Sequence, residues 1–158
     1  MFIKLSEDIK YFIQLLQKHE VEFLICGGHA VAFHGFPRMT LDFDILIKPD
    51  KKNAQLIMAC LAEFGFGGVA ELKEELFCRR GTAFSLGVQP NQIDLLTSVS
   101  TQEETEIFEH KRVGKLEEFT LNFIAYEDLL RAKKEANRLK DQLDVLELQK
   151  IHAKKNAD

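Results

Sequence analysis

The sequence predicts an α+β domain in which helices flank one mixed β-sheet and further helices follow at the C-terminal end. Near the N-terminus apolar residues recur at helical spacing, short strand-like runs fill the middle of the chain, and a long helical segment begins near residue 125. Helices and strands that alternate in this way suit layers packed around a single sheet. We therefore expect one domain across residues 1–158, with its core over about 20–125 and C-terminal helices over about 126–153.

The first half of the chain predicts three helices and two strands. In order, they are an amphipathic helix over 6–19, a short buried strand over 22–28, a brief helix over 29–35, a strand over 41–47 and a helix to about 64. Ser6 and Asp50 stand where an N-cap is needed, because their side-chain oxygens can accept from the first free backbone N–H groups. Glycines at 65, 67 and 68 break the chain after the third helix.

The second half predicts strands followed by helices. We expect two or three strands between residues 69 and 96, the clearest over 84–88 and 91–98, then a short helix near 102–110, a strand pair over 112–125 and helices over 125–155. The last helical segment should split near Asn137, since apolar residues cluster on either side of it.

Composition limits the classes of function. A formal net charge of -4 argues against a surface that coats nucleic acid, which would need an excess of Lys and Arg. No run of about 18 apolar residues is present, so we expect a soluble, cytoplasmic protein with no membrane partner. The three cysteines are odd in number and far apart, which favours free buried thiols in a reducing compartment over a disulfide or a zinc site.

A glycine pair is the first candidate for binding chemistry. Gly27 and Gly28 lie between a predicted strand and a predicted helix, where the lack of side chains lets backbone N–H groups approach an anion. A strand-to-helix turn also uses glycine for tight geometry alone, so the pair by itself is a weak signal.

Three acids inside apolar strands form the second candidate. Asp42 and Asp44 are two residues apart and project from the same face of a strand, and Asp94 lies in a later strand. Adjacent carboxylates repel one another unless a cation lies between them, and hard oxygen ligands suit Mg²⁺. Convergence of all three would build a site for two-metal phosphoryl or nucleotidyl transfer. The alternative is that each acid faces solvent at a strand edge.

These residues together resemble a known family. A Gly-Gly pair, thirteen further residues, Asp-Phe-Asp and a later strand Asp resemble the polymerase-β-type nucleotidyltransferase superfamily. More narrowly, "GGHAVAFHGFPRMTLDFDILI" resembles minimal nucleotidyltransferases related to the AbiEii-type toxins of type IV toxin-antitoxin systems, with Gly35 and the R-x-T-x-D-x-D signature both present. Lys133, Arg138 and Asp141 match the Lys and the R-x-x-D motif of their late helices, so the resemblance spans roughly residues 20 to 150.

The resemblance implies a role for each matched residue. Asp42, Asp44 and Asp94 would hold a two-ion Mg²⁺ site, and Asp94 would help to deprotonate the acceptor hydroxyl. The implied nucleotide-binding set is Gly27, Gly28, Arg38, Thr40 and Lys133. For Lys133 a solvated helix face is the alternative. Many superfamily members have Gly-Ser in place of Gly27-Gly28, so a serine hydroxyl for the terminal phosphate must here be replaced by backbone or by another side chain.

The function implied is Mg²⁺-dependent transfer of an NMP from an NTP to a hydroxyl, with tRNA, a protein or a small molecule as the acceptor. Membership of a toxin-antitoxin pair, with an antitoxin protein as partner, is also implied. The alternative is a catalytically inactive nucleotide-binding or protein-interaction module of the same fold.

Four further residues are weaker candidates for a functional role. His29 and His34 are five apart, so they could not both face one metal on a regular helix, and packing or capping is the alternative to a functional role. For Arg79 and Arg80 the candidate role is lining a groove for a polyanion, but as adjacent strand residues they would point to opposite faces, so at most one would serve.

Overall fold

The structure, a computed structural model, describes residues 4–157. Its helices are α1 Glu7–Lys18, α2 Gly27–Phe33, α3 Lys51–Leu61, α4 Glu104–Glu109, α5 Tyr126–Ala136 and α6 Leu139–Ala157. Its strands are β1 Phe23–Ile25, β2 Asp42–Ile47, β3 Ala83–Leu86, β4 Gln92–Leu96, β5 Arg112–Leu116 and β6 Phe119–Phe123. A π-helical turn, Ala62–Phe66, follows α3, and a 3₁₀ turn, Glu74–Phe77, precedes β3.

The strands form one mixed sheet in the order β3-β4-β2-β1-β6-β5. The pairs β2–β4 and β1–β6 are parallel, whereas β1–β2, β3–β4 and β5–β6 are antiparallel. Helices cover the sheet and two of them close the C-terminal part of the chain. The predicted α+β architecture is therefore confirmed.

Two apolar layers pack on opposite faces of the sheet. One contains α1 and α3, with fully buried Phe12 from α1 and Phe43 and Ile45 from β2. The other lies between the sheet and α2, α4, α5 and α6. Because side chains alternate along a strand, Asp42 and Asp44 project to this second side, where the C-terminal helices lie.

The predicted helix boundaries rest on local hydrogen bonds. Ser6 Oγ accepts from the Ile9 N–H at 3.2 Å, and Asp50 Oδ1 accepts from the Asn53 N–H at 2.7 Å. Asn137 takes a left-handed conformation, with φ of 53°, and separates α5 from α6 as expected. Both N-caps and the split of the C-terminal segment are thus confirmed.

Helix α2 begins earlier than predicted. Gly27 and Gly28 form its first turn, so the glycine pair belongs to the helix and not to the end of the preceding strand. Gly27 has φ of 62°, a conformation that L-residues with side chains rarely adopt, and this makes the sharp entry from β1.

Two strands, β3 and β4, form between residues 69 and 96, and they match the two clearest predicted ranges, 84–88 and 91–98. Arg79 and Arg80 lie in the turn after the 3₁₀ helix, so the argument from opposite strand faces was wrong for them. Arg80 Nε instead donates to Glu104 Oε1 at 2.8 Å and ties this turn to α4. That contact gives Arg80 a structural role.

All three cysteines are free thiols, as expected. Cys26 and Cys60 are buried, but Cys78 is exposed, so the prediction of three buried thiols was wrong at that position. Over residues 4–157 the structure contains no helix with both the length and the apolar character that crossing a membrane would require.

Candidate active site

The three predicted acids meet at one point of the sheet. Asp44 on β2 is the direct cross-strand partner of Asp94 on β4, and Asp42 lies two residues before Asp44 on the same face. One carboxylate oxygen from each of the three residues lies within 4.8 Å of the other two. Among the described residues this is the one group of three or more His, Cys, Asp or Glu side chains close enough to share a metal ion.

Neighbouring amide and hydroxyl groups orient two of these carboxylates. Ser85 Oγ and Gln92 Nε2 both donate to Asp94 Oδ1, at 2.7 and 2.8 Å. Gln89 Nε2 donates to Asp42 Oδ1 at 3.1 Å. The sequence prediction missed these three residues; only Gln92, two positions before Asp94 on the same strand face, gave a local signal.

The electrostatics of the cluster favour a bound cation. Burial, together with the hydrogen bond and charge of Asp94 and the charge of Asp42, raises the pKa of Asp44 to about 7, while the ammonium of Lys133 opposes the shift. Near neutral pH the carboxyl therefore ionises reluctantly unless positive charge is supplied. Three clustered carboxylates are hard oxygen donors of the kind that Mg²⁺ prefers, so the residues present fit that ion.

The glycine pair lies against this cluster. A Cβ on Gly27 would overlap the Asp44 side chain, with the carboxyl carbon only 2.7 Å away. The Cys26 N–H also donates to the Asp44 carbonyl at 3.1 Å, which joins the end of β1 to β2 beside the triad. Glycine is thus required at position 27 by both its φ and its distance from the Asp44 carboxylate.

The absence of the family serine at position 28 has a local explanation. A Cβ on Gly28 would lie 2.6 Å from both the Cβ and the Oγ1 of Thr40. Thr40 Oγ1, which donates to the Asp42 carbonyl at 3.1 Å, therefore occupies the space into which a serine would project. A side-chain hydroxyl still stands beside the glycine pair, but it belongs to Thr40.

Lys133 and Arg38 also reach this region, and each is held by buried acids. Lys133 is only 7% exposed, and its Nζ lies 3.2 Å from Asp141 Oδ1 and 3.0 Å from Asp144 Oδ2. Arg38 donates from Nε and Nη2 to the two oxygens of Asp144, at 2.7 and 2.9 Å. A solvated helix face is therefore the wrong description of Lys133.

The buried acids stay ionised because cations surround them. Burial opposes ionisation of Asp144, but hydrogen bonds from Arg38 and Lys133 outweigh it and lower the pKa of that carboxyl. Hydrogen bonds from Arg138, whose Nε lies 2.7 Å from Asp141 Oδ2, likewise lower the pKa of Asp141 against the effect of burial. The sequence prediction had no place for Asp144.

A cavity of about 270 Å³ opens beside these groups. Its polar wall includes Gly27, Gly28, Arg38, Thr40, Asp42, Asp44, Lys133, Arg138 and Asp141. Its apolar wall includes Leu96, Val99, Ile124, Leu129, Ala132 and Ala136. All five predicted nucleotide-binding residues and two of the three acids therefore face one space, and Asp94 adjoins it through the triad.

The two histidines lie apart from this arrangement. His29 packs edge-on against Phe43, with ring centroids 5.1 Å apart, and burial lowers the pKa of its imidazole to about 4. His34 Nε2 lies 2.7 Å from the Ile124 carbonyl. Each imidazole has its own partner, Phe43 for His29 and the Ile124 carbonyl for His34, which matches the packing alternative for these residues.

Comparison with known proteins places the fold. No protein-family model matches the chain, and no curated protein matches it either. A solved structure named a "putative nucleotidyltransferase", from Thermotoga maritima, is 13% identical, with a TM-score of 0.59 and 90% of each chain covered. An antigenic nucleotidyltransferase-like protein from Paracoccidioides brasiliensis is 18% identical, with a TM-score of 0.50, over 91% of this chain and 77% of that one. The chain therefore has a nucleotidyltransferase-like fold.

Proposed function

We propose that this protein is a Mg²⁺-dependent nucleotidyltransferase that moves an NMP from an NTP to a hydroxyl group and releases pyrophosphate. One observation carries the proposal: Asp42, Asp44 and Asp94 converge beside Gly27 and Gly28, two positions at which a Cβ would overlap a neighbouring side chain. A carboxylate triad next to a close backbone approach supplies both a cation site and a phosphate site. The fold supports the same conclusion.

Different residues of the cavity would contact the triphosphate in different ways. Gly27 and Gly28 let the backbone approach the phosphate oxygens, and the Thr40 hydroxyl lies beside them. Arg38 and Lys133 supply positive charge on the same polar wall, where Arg38 Nη1 lies 3.3 Å from the position that a Cβ on Gly28 would take. Mg²⁺ held by the triad would neutralise negative charge on the carboxylates and on the phosphates together.

In the transfer step, the acceptor oxygen bonds to the α-phosphorus while the bond from that phosphorus to the bridging oxygen breaks. Pyrophosphate leaves with the electron pair of the broken bond, and the proton of the acceptor hydroxyl passes to the Asp94 carboxylate. Ser85 and Gln92 hold Asp94 Oδ1, which fixes the direction in which that carboxylate faces.

The apolar wall suits the nucleoside. Ala132 and Ala136 are one helical turn apart on α5, and their small side chains leave a flat surface beside Leu129. A nucleobase laid there would bury apolar area without displacing the phosphates from the polar wall.

The acceptor and the cellular role extend the proposal. tRNA, a protein hydroxyl and a small molecule all present the hydroxyl that the reaction needs, and the net charge of -4 does not favour one of them. The role as a toxin paired with an antitoxin protein rests on the sequence resemblance alone.

The direct test is transfer of label from NTPs carrying ³²P at the α-phosphate. The purified protein, with Mg²⁺, is offered total tRNA, a cell protein extract and a panel of small hydroxyl compounds, and labelled products are resolved for each. We expect one class to be labelled, and we expect Asp42→Asn combined with Asp44→Asn to abolish the label.

The matched control combines Glu71→Gln with Glu75→Gln, which removes two exposed carboxylates that belong neither to the triad nor to the lining of the cavity. It should transfer as the wild type does. Undiminished transfer in the double Asn variant would contradict the mechanism. Metal-dependent NTP binding with no transfer to any class would instead favour the inactive nucleotide-binding module.

A further inference from the structure

We propose that Asp144 is a positioning residue that holds Arg38 and Lys133 in place for the triphosphate. The inference rests on the proposed function, because it assigns a role within the same site. Asp144 has no exposed surface and lies outside the lining of the cavity, whereas Arg38 and Lys133 both line it. Asp144 therefore makes no direct contact with a ligand in the cavity, but it does contact the two cations that line it.

Asp144 holds one edge of the Arg38 guanidinium. Both N–H groups on its Nε and Nη2 edge point at the Asp144 carboxylate, at 2.7 and 2.9 Å. The remaining nitrogen, Nη1, donates to the Met39 carbonyl at 3.1 Å and lies 3.3 Å from the position that a Cβ on Gly28 would take. A bidentate pair holds a guanidinium in one plane. Asp144 thus orients Arg38 so that its Nη1 lies beside the glycine pair.

The same carboxylate fixes Lys133. Its Oδ2 accepts from Lys133 Nζ at 3.0 Å, while Asp141 accepts from the other side of the ammonium at 3.2 Å. A lysine side chain has a flexible four-carbon stem and loses much conformational entropy when it is confined. Without its two acidic partners, the Lys133 ammonium would sample many positions. Its burial between two acids places the ammonium at the cavity wall before any ligand arrives.

The local charges leave an excess for an anion. Two buried carboxylates, Asp141 and Asp144, face three cations, namely Lys133, Arg38 and Arg138. This group therefore carries a net positive charge of one on the polar wall, beside the glycine pair. It also joins α6 to the loop before β2, so the C-terminal helix is part of the phosphate site.

Two accounts of Asp144 predict opposite signs for one experiment. If Asp144 were only a nearby negative charge, Asp144→Asn would strengthen binding of a polyanion, because a repulsive carboxylate is removed. If Asp144 positions the two cations, the same change weakens binding, as the loss of an outer-shell partner usually does, by about tenfold or more.

The experiment titrates inorganic tripolyphosphate, with Mg²⁺, into the full-length protein by calorimetry. We expect Asp144→Asn to raise Kd by about tenfold or more. Arg38→Gln should weaken binding as well, and the double variant should be weaker than Arg38→Gln by less than the full effect of Asp144→Asn, since only the part that passes through Lys133 is left to lose. Equal or tighter binding by Asp144→Asn, or additive effects in the double variant, would overturn the inference.

Two further variants separate positioning from loss of folding. Leu148→Ala removes buried apolar volume from the same helix without touching the cations, and it should lower Tm yet leave Kd unchanged. If Asp144→Asn does not fold at the assay temperature, Asp144→Glu carries the test, because it keeps the charge and moves the carboxylate; unchanged Kd there would contradict positioning. Failure of the wild type to bind tripolyphosphate would overturn the proposed function and this inference together, whereas wild-type binding with an unaffected Asp144→Asn overturns this inference alone.

Discussion

Asp44 and Asp94 are direct partners in the parallel pair of strands β2 and β4, so two carboxylates stand side by side on a half-buried face of the sheet. Apolar or oppositely charged partners at these positions would stabilise the sheet better. The raised pKa of Asp44, about 7, is the electrostatic result of this pairing and of burial. The pairing is therefore electrostatically unfavourable in the metal-free protein, and a bound cation would relieve it.

The first prediction concerns stability against pH. The pKa of Asp44 rises from 3.8 to about 7 on folding, so the folded state holds a proton that the unfolded state has lost across that range. Stability is therefore full below pH 3.8 and falls as pH rises through 7. In EDTA, Asp44→Asn should raise the free energy of unfolding relative to wild type by about 2 kcal/mol at pH 8, after allowance for solvent screening, and far less at pH 4. Urea denaturation at both pH values measures this, and an equal difference at each would contradict it.

The second prediction concerns Gly27. Gly27→Ala forces a side chain into φ of 62° and drives its Cβ against the Asp44 carboxyl group. We expect a loss of at least about 1 kcal/mol in the free energy of unfolding, together with loss of Mg²⁺-dependent NTP binding. Gly81→Ala is the matched control, because Gly81 has φ of 90° but no atom within 4 Å of its Cβ position. That variant should show the backbone strain and retain NTP binding.

The third prediction concerns the missing serine. Gly28→Ser should destabilise the protein and weaken NTP binding, because its Cβ would lie 2.6 Å from the Thr40 side chain. Combining it with Thr40→Ala removes the Oγ1 that lies there and returns a hydroxyl to position 28, so both properties should recover in part. Thermal unfolding and calorimetry on the two single variants and the double variant measure the coupling. Strictly additive losses would show that the two side chains do not share this space.

The fourth prediction separates the two walls of the cavity. Ala132→Leu adds volume to the apolar wall of a cavity of only about 270 Å³ and leaves the polar wall untouched. We expect it to weaken binding of a non-hydrolysable NTP by about tenfold or more, since the nucleoside would be displaced. Tripolyphosphate, which has no nucleoside, should bind the variant as it binds the wild type. Equal loss for both ligands would place the nucleoside elsewhere.

Local patterns were enough to predict most elements and the identity of the three acids. The caps at Ser6 and Asp50 and the break at Asn137 depend on a few neighbouring residues, so the sequence displays them directly. Alternation in β2 likewise shows that Asp42 and Asp44 share a face. The proximity of Asp94 is different in kind, because it depends on which strands pair and in what register. The expectation that Asp94 lies near Asp42 and Asp44 came from the family resemblance, because no local pattern indicates it.

Contacts between distant segments could not be predicted in the same way. Arg38 and Asp144 are 106 positions apart, and Asp144 sits in a helix whose other polar residues give it no distinction. The strand expected around Arg79 and Arg80 does not form. The short apolar run before them matches either a strand or the 3₁₀ turn, Glu74–Phe77, that the structure has. Arg80 was misjudged for that reason, since its partner, Glu104, lies on α4.

The most direct measurement of the central claim is a calorimetric titration of the wild-type protein with a non-hydrolysable NTP, with and without Mg²⁺. The matched titration uses the protein carrying Asp42→Asn and Asp44→Asn. We predict binding that needs Mg²⁺ in the wild type and that disappears in the variant, because the triad would hold the cation that neutralises charge on the phosphates. Binding that is equal with and without Mg²⁺, or that survives in the Asn variant, would contradict the assignment of this site.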